Sequence, residues 1–226
     1  MSFGLQKHWN KSHIGHPVDR LPSNYARDKE KYFPRSSVVC DLGGGDGVDS
    51  LYFIQKGHKV YLYDISDIGL EKAKARAAKE NVENKLVVQQ IDLSEDKIPV
   101  SDNFFDIVYS RLSIHYFYKD RLIEILKDIY RVLKQGGVSF IVVKSPEDLN
   151  EMKWLNENTE KLQEGVYSEG GLIKTRFAKD EYRQMLESAG ITNFEVNDYL
   201  EKFGEQKIFV KSKANELLYI EIVIRK

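Results

Sequence analysis

Apolar and polar residues follow two alternating spacings along this chain. Val38–Leu42 is a short apolar run and predicts a buried strand. Residues 48–56 change to helical spacing and stop at Gly57. Residues 59–63 predict a second strand, closing at Asp64. Residues 67–79 carry Leu70, Ala73 and Ala77 on one helical face, with Ser66 placed as a cap. A third strand is expected over 86–90, with Asp92 after it, and a fourth over 105–110. Leu122, Ile125, Leu126, Ile129, Val132 and Leu133 then fall at helical spacing, with Asp120 near the start and Gly136-Gly137 at the stop. Residues 138–143 predict a fifth strand.

Strands separated by helices imply an α/β fold with a mostly parallel, doubly wound sheet and right-handed crossovers. Ligands of such sheets bind beyond the carboxyl ends of the strands. That rule singles out residues 43–47, Asp64, Asp92 and 110–116. The pattern loosens over 145–178, a polar stretch with Trp154 and Tyr167. A helix follows, with Tyr182, Met185, Leu186 and Ala189 on one face and Gly190 at its end. Residues 194–203 and 217–224 predict two more strands with no helix between them, so they are expected to pair antiparallel. The expectation is one domain over 1–226, built on a seven-stranded sheet whose last strand is antiparallel.

Composition narrows the partners. A net charge of -1 gives no global field for nucleic acid or an anionic membrane. No apolar run is long enough to span a bilayer, and the first residues lack an apolar signal core. Cys40 is the single cysteine and lies in a predicted buried strand. No disulfide within the chain can form, and a cytoplasmic location is expected.

The chemistry concentrates in Asp41-Leu42-Gly43-Gly44-Gly45-Asp46-Gly47. A glycine-dense turn between a strand and a helix brings bare backbone close to a ligand. Asp41, Asp46 and Asp49 would repel a diphosphate there, whereas a cation would be welcome. The dinucleotide fingerprint fits poorly, because Val48 occupies its third glycine position. No Gly-Lys-Ser/Thr is present, which removes the phosphate loop of nucleotide triphosphatases. Asp46 and Asp49 also suit the positive end of the following helix, and that is the expected role of Asp49.

Residues 41–47 resemble the first motif of class I S-adenosylmethionine-dependent methyltransferases. The likeness continues at Asp64, at Asp92-Leu93 and at Lys134-Gln135-Gly136-Gly137, where Gln135 replaces the family's proline. It extends through Arg176-Phe177 to Ala189-Gly190-Ile191 and the closing strand pair. The resemblance implies S-adenosyl-L-methionine as cofactor and assigns its contacts. Asp64 would accept the two ribose hydroxyls and Asp92 the adenine amino group, with Ile65 and Leu93 flanking the ring. Gly43, Gly44, Gly45 and Gly47 would lie along the methionine part, supported by Asp41. Ser110 and Arg111 would touch its far end. No metal is expected, since His8, His13 and His16 match no tight ligand spacing.

The loop after the fourth strand would face the methyl acceptor. His115 could take a proton there, with Tyr116 beside it, or both could pack the next helix. Two segments are candidate covers for the site. One is an N-terminal arm over 1–35 with Trp9 and Tyr25, and the other is the insertion over 145–178. No Asn/Asp-Pro-Pro-Tyr run follows the fourth strand, which argues against amino-methylation of nucleic acid. A small-molecule acceptor is therefore expected. Three alternatives stay open: a catalytically silent cofactor-binding or regulatory protein, a nicotinamide oxidoreductase, and a protein or RNA methyltransferase.

Overall fold

The computed structural model describes residues 2–17, 19–202 and 216–226, with the side chains of Ser2 and Phe3 not described. An N-terminal arm holds α1 (Ser2–Ile14) and α2 (Asn24–Lys29). The main body then alternates β1 (Val38–Leu42), α3 (Val48–Gln55), β2 (Lys59–Asp64), α4 (Asp67–Lys79), β3 (Leu86–Gln90), β4 (Phe105–Arg111), α5 (Lys119–Val132) and β5 (Leu133–Lys144). Next come α6 (Leu149–Asn158), β6 (Glu160–Gln163), β7 (Val166–Glu169) and β8 (Leu172–Thr175). The described chain closes with α7 (Lys179–Ser188), β9 (Phe194–Lys202) and β10 (Glu216–Arg225). The expected end of the penultimate strand at Phe203 lies outside the described residues.

Seven strands form the main sheet in the order β3-β2-β1-β4-β5-β10-β9. β10 runs antiparallel to both neighbours, β5 and β9, and the other pairings are parallel. Strand order reverses between β1 and β4, and that switch point opens the crevice where ligands of such sheets bind. The pleat sends neighbouring side chains to opposite faces. Val39, Ile107 and Val142 pack with Tyr25, Phe53 and Tyr219, while Cys40, Val108 and Val143 pack with α5 and α7. Burial of Cys40 pushes its thiol pKa up, as a packed and unreactive cysteine requires.

Two expectations are corrected. Leu133 does not end the fifth helix but begins β5, and Gly136-Gly137 lies inside that strand. A side chain at Gly137 would meet the carbonyls of Lys134 and Asp106 at 2.9 and 3.1 Å, so the glycine lets the bulged strand hug β4. The insertion over 145–178, read as a polar stretch with no elements of its own, carries regular structure. It forms α6 and a separate three-stranded sheet, with Val166 and Phe177 buried in the core beside α5 and α7.

Candidate functional site

The residues nominated at the carboxyl ends line one cavity of about 630 Å³. Asp41, Gly43, Gly44, Gly45, Asp64, Ile65, Asp92, Leu93, Arg111 and Tyr116 are in its wall, whereas Gly47, Ser110 and His115 are not. Gly47 caps α3 in a left-handed conformation. The Ser110 and Ser113 hydroxyls both reach the Leu42 carbonyl at 3.0 Å and so brace the turn from behind.

The turn is folded around carboxylates. Gly45 has a φ of +57°, and a side chain there would run into the His13 ring at 2.5 Å. Asp64 accepts the backbone N–H of Gly45 through one oxygen and that of Ser66 through the other, each at 2.8 Å. Burial raises its pKa, while these backbone donors oppose the rise. Lone pairs remain for a ligand, since a carboxylate offers about four acceptor sites. Asp92 takes the Ser94 N–H and hydroxyl on Oδ1, but its Oδ2 has no partner among the described residues. A buried acceptor without a donor is unusual in a native fold and fits a ligand N–H. Arg121 holds the adjacent Leu93 carbonyl at 2.7 Å. Asp41 is sealed beneath the turn and accepts the Ser50 hydroxyl at 2.6 Å. Burial pushes its pKa up to about 8; the Ser50 bond opposes this, and the Asp49 and Asp64 charges add to it.

Asp46 and Asp49 hold the N-terminal arm rather than serving only the helix end. Asp46 pairs with Arg20 at 3.0 Å and Arg76 at 3.2 Å. Asp49 accepts the Ser23 N–H at 2.7 Å, and the Ser23 and Tyr109 hydroxyls at 2.8 Å each. The arm thus lies over the crevice. Leu5, Trp9, His13 and His16 of its first helix and following turn face the cavity, and Trp9 meets the Tyr116 ring edge-on at 4.9 Å. Lys72 of α4 reaches the carbonyls of His13, Ile14 and His16, which have no partner inside α1.

His13, His16 and Asp46 bring three metal-ligand atoms within 4.8 Å of one another. Spacing alone did not show this convergence. The guanidinium groups of Arg20 and Arg76 already occupy the carboxylate, and a metal would have to displace them. Burial also lowers the His13 pKa to about 4, against the pull of Asp46, so its ring is neutral near pH 7.

His115 sits behind the cavity wall and is 1% exposed. Its carbonyl accepts the Thr175 N–H at 2.8 Å, and its ring lies against Tyr116 at 4.3 Å. Burial pushes its pKa well below the usual imidazole value, with Arg176 adding to the effect. Burial raises the Tyr116 hydroxyl to about 12, which keeps it a proton donor at neutral pH. No described residue of 145–178 lines the cavity, whereas residues of the N-terminal arm do.

Ser23, Asn24, Arg27, Tyr109 and Glu201 line the cavity without a sequence signal that places them there, whereas Ser113 falls within the loop singled out over 110–116. Leu112 lines it too, with a φ of 55°, an uncommon backbone state for a branched side chain that concentrates at functional loops.

Comparisons with known proteins point to one kind of domain. Residues 39–137 match the family model of a methyltransferase domain. An uncharacterised methyltransferase of Synechocystis is 34% identical over 104 residues, covering 46% of this chain and 45% of that protein. Among solved structures, an S-adenosylmethionine-dependent methyltransferase of Methanosarcina mazei superposes with a TM-score of 0.68 at 19% identity, covering 86% of this chain and 95% of that one. The 1,6-didemethyltoxoflavin-N1-methyltransferase of Burkholderia thailandensis, solved with its substrate and S-adenosylhomocysteine, gives 0.64 at 19% identity, covering 90% and 79%. At such identities the structural likeness concerns the fold. The chain spans about half the length of the curated relatives it matches.

Proposed function

We propose, from the premise that this chain carries a class I S-adenosylmethionine-dependent methyltransferase domain, that it methylates a small molecule. The observation that carries the reading is the acidic lining of one cavity at the switch point. Asp64 stands at the end of β2, and the unpartnered Oδ2 of Asp92 lies just beyond β3. A nucleoside bearing a ribose diol and an adenine amino group supplies the donors these oxygens lack, whereas a pyrophosphate would add like charge.

S-adenosylmethionine, when bound, supplies an electrophilic methyl group on a sulfonium. The chain's residues do the rest. Asp64 holds the ribose, Ile65 and Leu93 flank the adenine, and Asp92 takes its amino group. The backbone of Gly43, Gly44 and Gly45 lies along the methionine part, and Asp41 stands beneath it. Gly47 and Ser110 shape the turn without touching the ligand. Trp9 and Tyr116 exclude water, and the faces of their rings attract a sulfonium. Alignment of the nucleophile with the methyl group supplies much of the acceleration, so no strong base is required. The chain's near-zero net charge supports a small acceptor over a nucleic acid and fits a cytoplasmic enzyme.

Calorimetry with S-adenosylhomocysteine and with NADH tests the reading. Tight binding of the first is expected, and preferential binding of NADH would reject it. Turnover against a panel of acceptors separates an enzyme from a silent binder, because S-adenosylhomocysteine accumulates only if methyl groups move.

His115 is given no proton-transfer role. His115→Ala is expected to cost about 1–3 kcal/mol of stability through the space it empties. Methyl transfer per folded molecule should stay within about threefold of the parent. A larger fall in turnover at unchanged denaturation midpoint would restore His115 as a base.

A further inference from the structure

The cavity has two ends, set by strand order. Asp64 and Asp92 belong to the β2–β3 side of the sheet, and the glycine turn after β1 lies in the middle. At the opposite end stand Tyr109 and Arg111 of β4, Glu201 of β9, and Asn24 and Arg27 of α2. Asn24 Nδ2 donates to the Lys202 carbonyl at 2.7 Å and so ties the arm to β9 beside Glu201. If the cofactor fills the β2–β3 end, this far end remains for the acceptor.

Its chemistry is specific. Arg111 leaves β4 and reaches across the sheet, where Nη2 donates to Glu201 Oε2 at 2.8 Å. Glu201 is 1% exposed, and its Oε1 has no partner among the described residues. Arg111 Nε is likewise sealed and unpaired. Nη1 donates to no described residue and stays accessible, and the Arg111 side chain keeps 23% of its surface. A buried carboxylate that takes only one donor is a poor stabilising device by itself, since both charges are desolvated. It is a good way to fix the plane of an arginine whose outer edge must meet a ligand. Arg27 stands at the same end with no ion pair among the described residues. The nearby Asp49 is already satisfied by three donors from Ser23 and Tyr109. Leu21, Pro22 and Leu112 supply apolar wall.

We propose that Arg111, held in place by Glu201, anchors a carboxylate of the methyl acceptor, so that the acceptor is a small organic acid with an apolar body. This rests on the methyltransferase reading, and it moves Arg111 from the cofactor to the acceptor. An anionic acceptor also complements the positive sulfonium beside it. Glu201 is a positioning residue, because it acts through the guanidinium.

The test uses the full chain saturated with S-adenosylhomocysteine. Benzoate, phenylacetate and cinnamate are titrated beside their primary amides and followed by ligand-observed NMR and calorimetry. The acids are expected to bind about tenfold more tightly than the amides. Arg111→Met alone would strand a buried carboxylate, so the principal variant is R111M/E201M, with Arg111→Lys as the conservative one. The double variant should lose the preference for acids and keep its S-adenosylhomocysteine affinity within about twofold. Arg111→Lys should keep part of the preference, because a point charge replaces a fork. Equal binding of acids and amides by the parent, or no binding of any acid at millimolar concentration, overturns the proposal. So does a double variant that folds but loses S-adenosylhomocysteine, which would return Arg111 to the cofactor. Failure of the parent to bind S-adenosylhomocysteine rejects the methyltransferase reading instead.

Discussion

Replacing Asp64 by alanine is expected to weaken S-adenosylhomocysteine binding about 100-fold or more. Two hydrogen bonds to an ionised group are lost, each worth about 1.5–3 kcal/mol, and every 1.4 kcal/mol is tenfold. The carboxylate has a second duty. It accepts the N–H groups of Gly45 and Ser66, so its removal also loosens the glycine turn. Asp64→Asn separates the two duties. The amide keeps one acceptor oxygen at the same size and loses the charge, so an intermediate loss of about tenfold is expected. Calorimetry gives the affinities, and a thermal melt of each variant without ligand reports the turn. Unchanged affinity in Asp64→Ala would remove the ribose assignment. A large loss confined to a variant whose melt has collapsed would assign Asp64 to the turn alone.

The main sheet was legible because its central strands are buried on both faces and its helices on one. Val38–Leu42, Leu86–Gln90 and Asp67–Lys79 fall where the apolar spacing puts them, and Ser66 caps α4 by accepting the Gly69 N–H. The acids at the strand ends were legible for the same reason, since a strand with a fixed end also fixes the residue after it. The arm was harder to read. Leu5, Trp9 and His13 are spaced by four and share the cavity-facing side of α1, but a mix of aliphatic, indole and imidazole side chains does not form a hydrophobic stripe. The strands of the insertion were missed because they are short, and Glu160–Gln163 is exposed throughout. The pairing of Arg111 with Glu201 joins residues 90 positions apart, and only strand order brings them together.

The charge state of Asp41 was beyond reach of sequence, because it depends on burial. A carboxyl whose folded pKa is about 8, against an ordinary 3.8, keeps its proton in the folded chain over a range where the unfolded chain releases it. The folded state therefore binds more protons between these values, and this group's contribution to stability falls as pH rises from about 4 to about 8. The full excursion is on the order of several kcal/mol. Asp41→Asn cannot ionise and can still accept the Ser50 hydroxyl. It should melt close to the parent near pH 4 and well above it at pH 8, by about 10–20 °C if each kcal/mol moves the midpoint 2–4 °C. The same carboxyl explains why an acid was placed under this turn. A cationic ligand above it favours the ionised form, so binding near pH 7 should release up to one proton. Calorimetry in buffers of different ionisation enthalpy reads that proton directly. Asp41→Asn should abolish the release and weaken S-adenosylmethionine more than its uncharged-sulfur product. Parallel melting curves for parent and variant from pH 4 to 8 would show that Asp41 is ionised throughout. The glycine turn would then carry a permanent buried charge, and its affinity for a cation would no longer depend on pH.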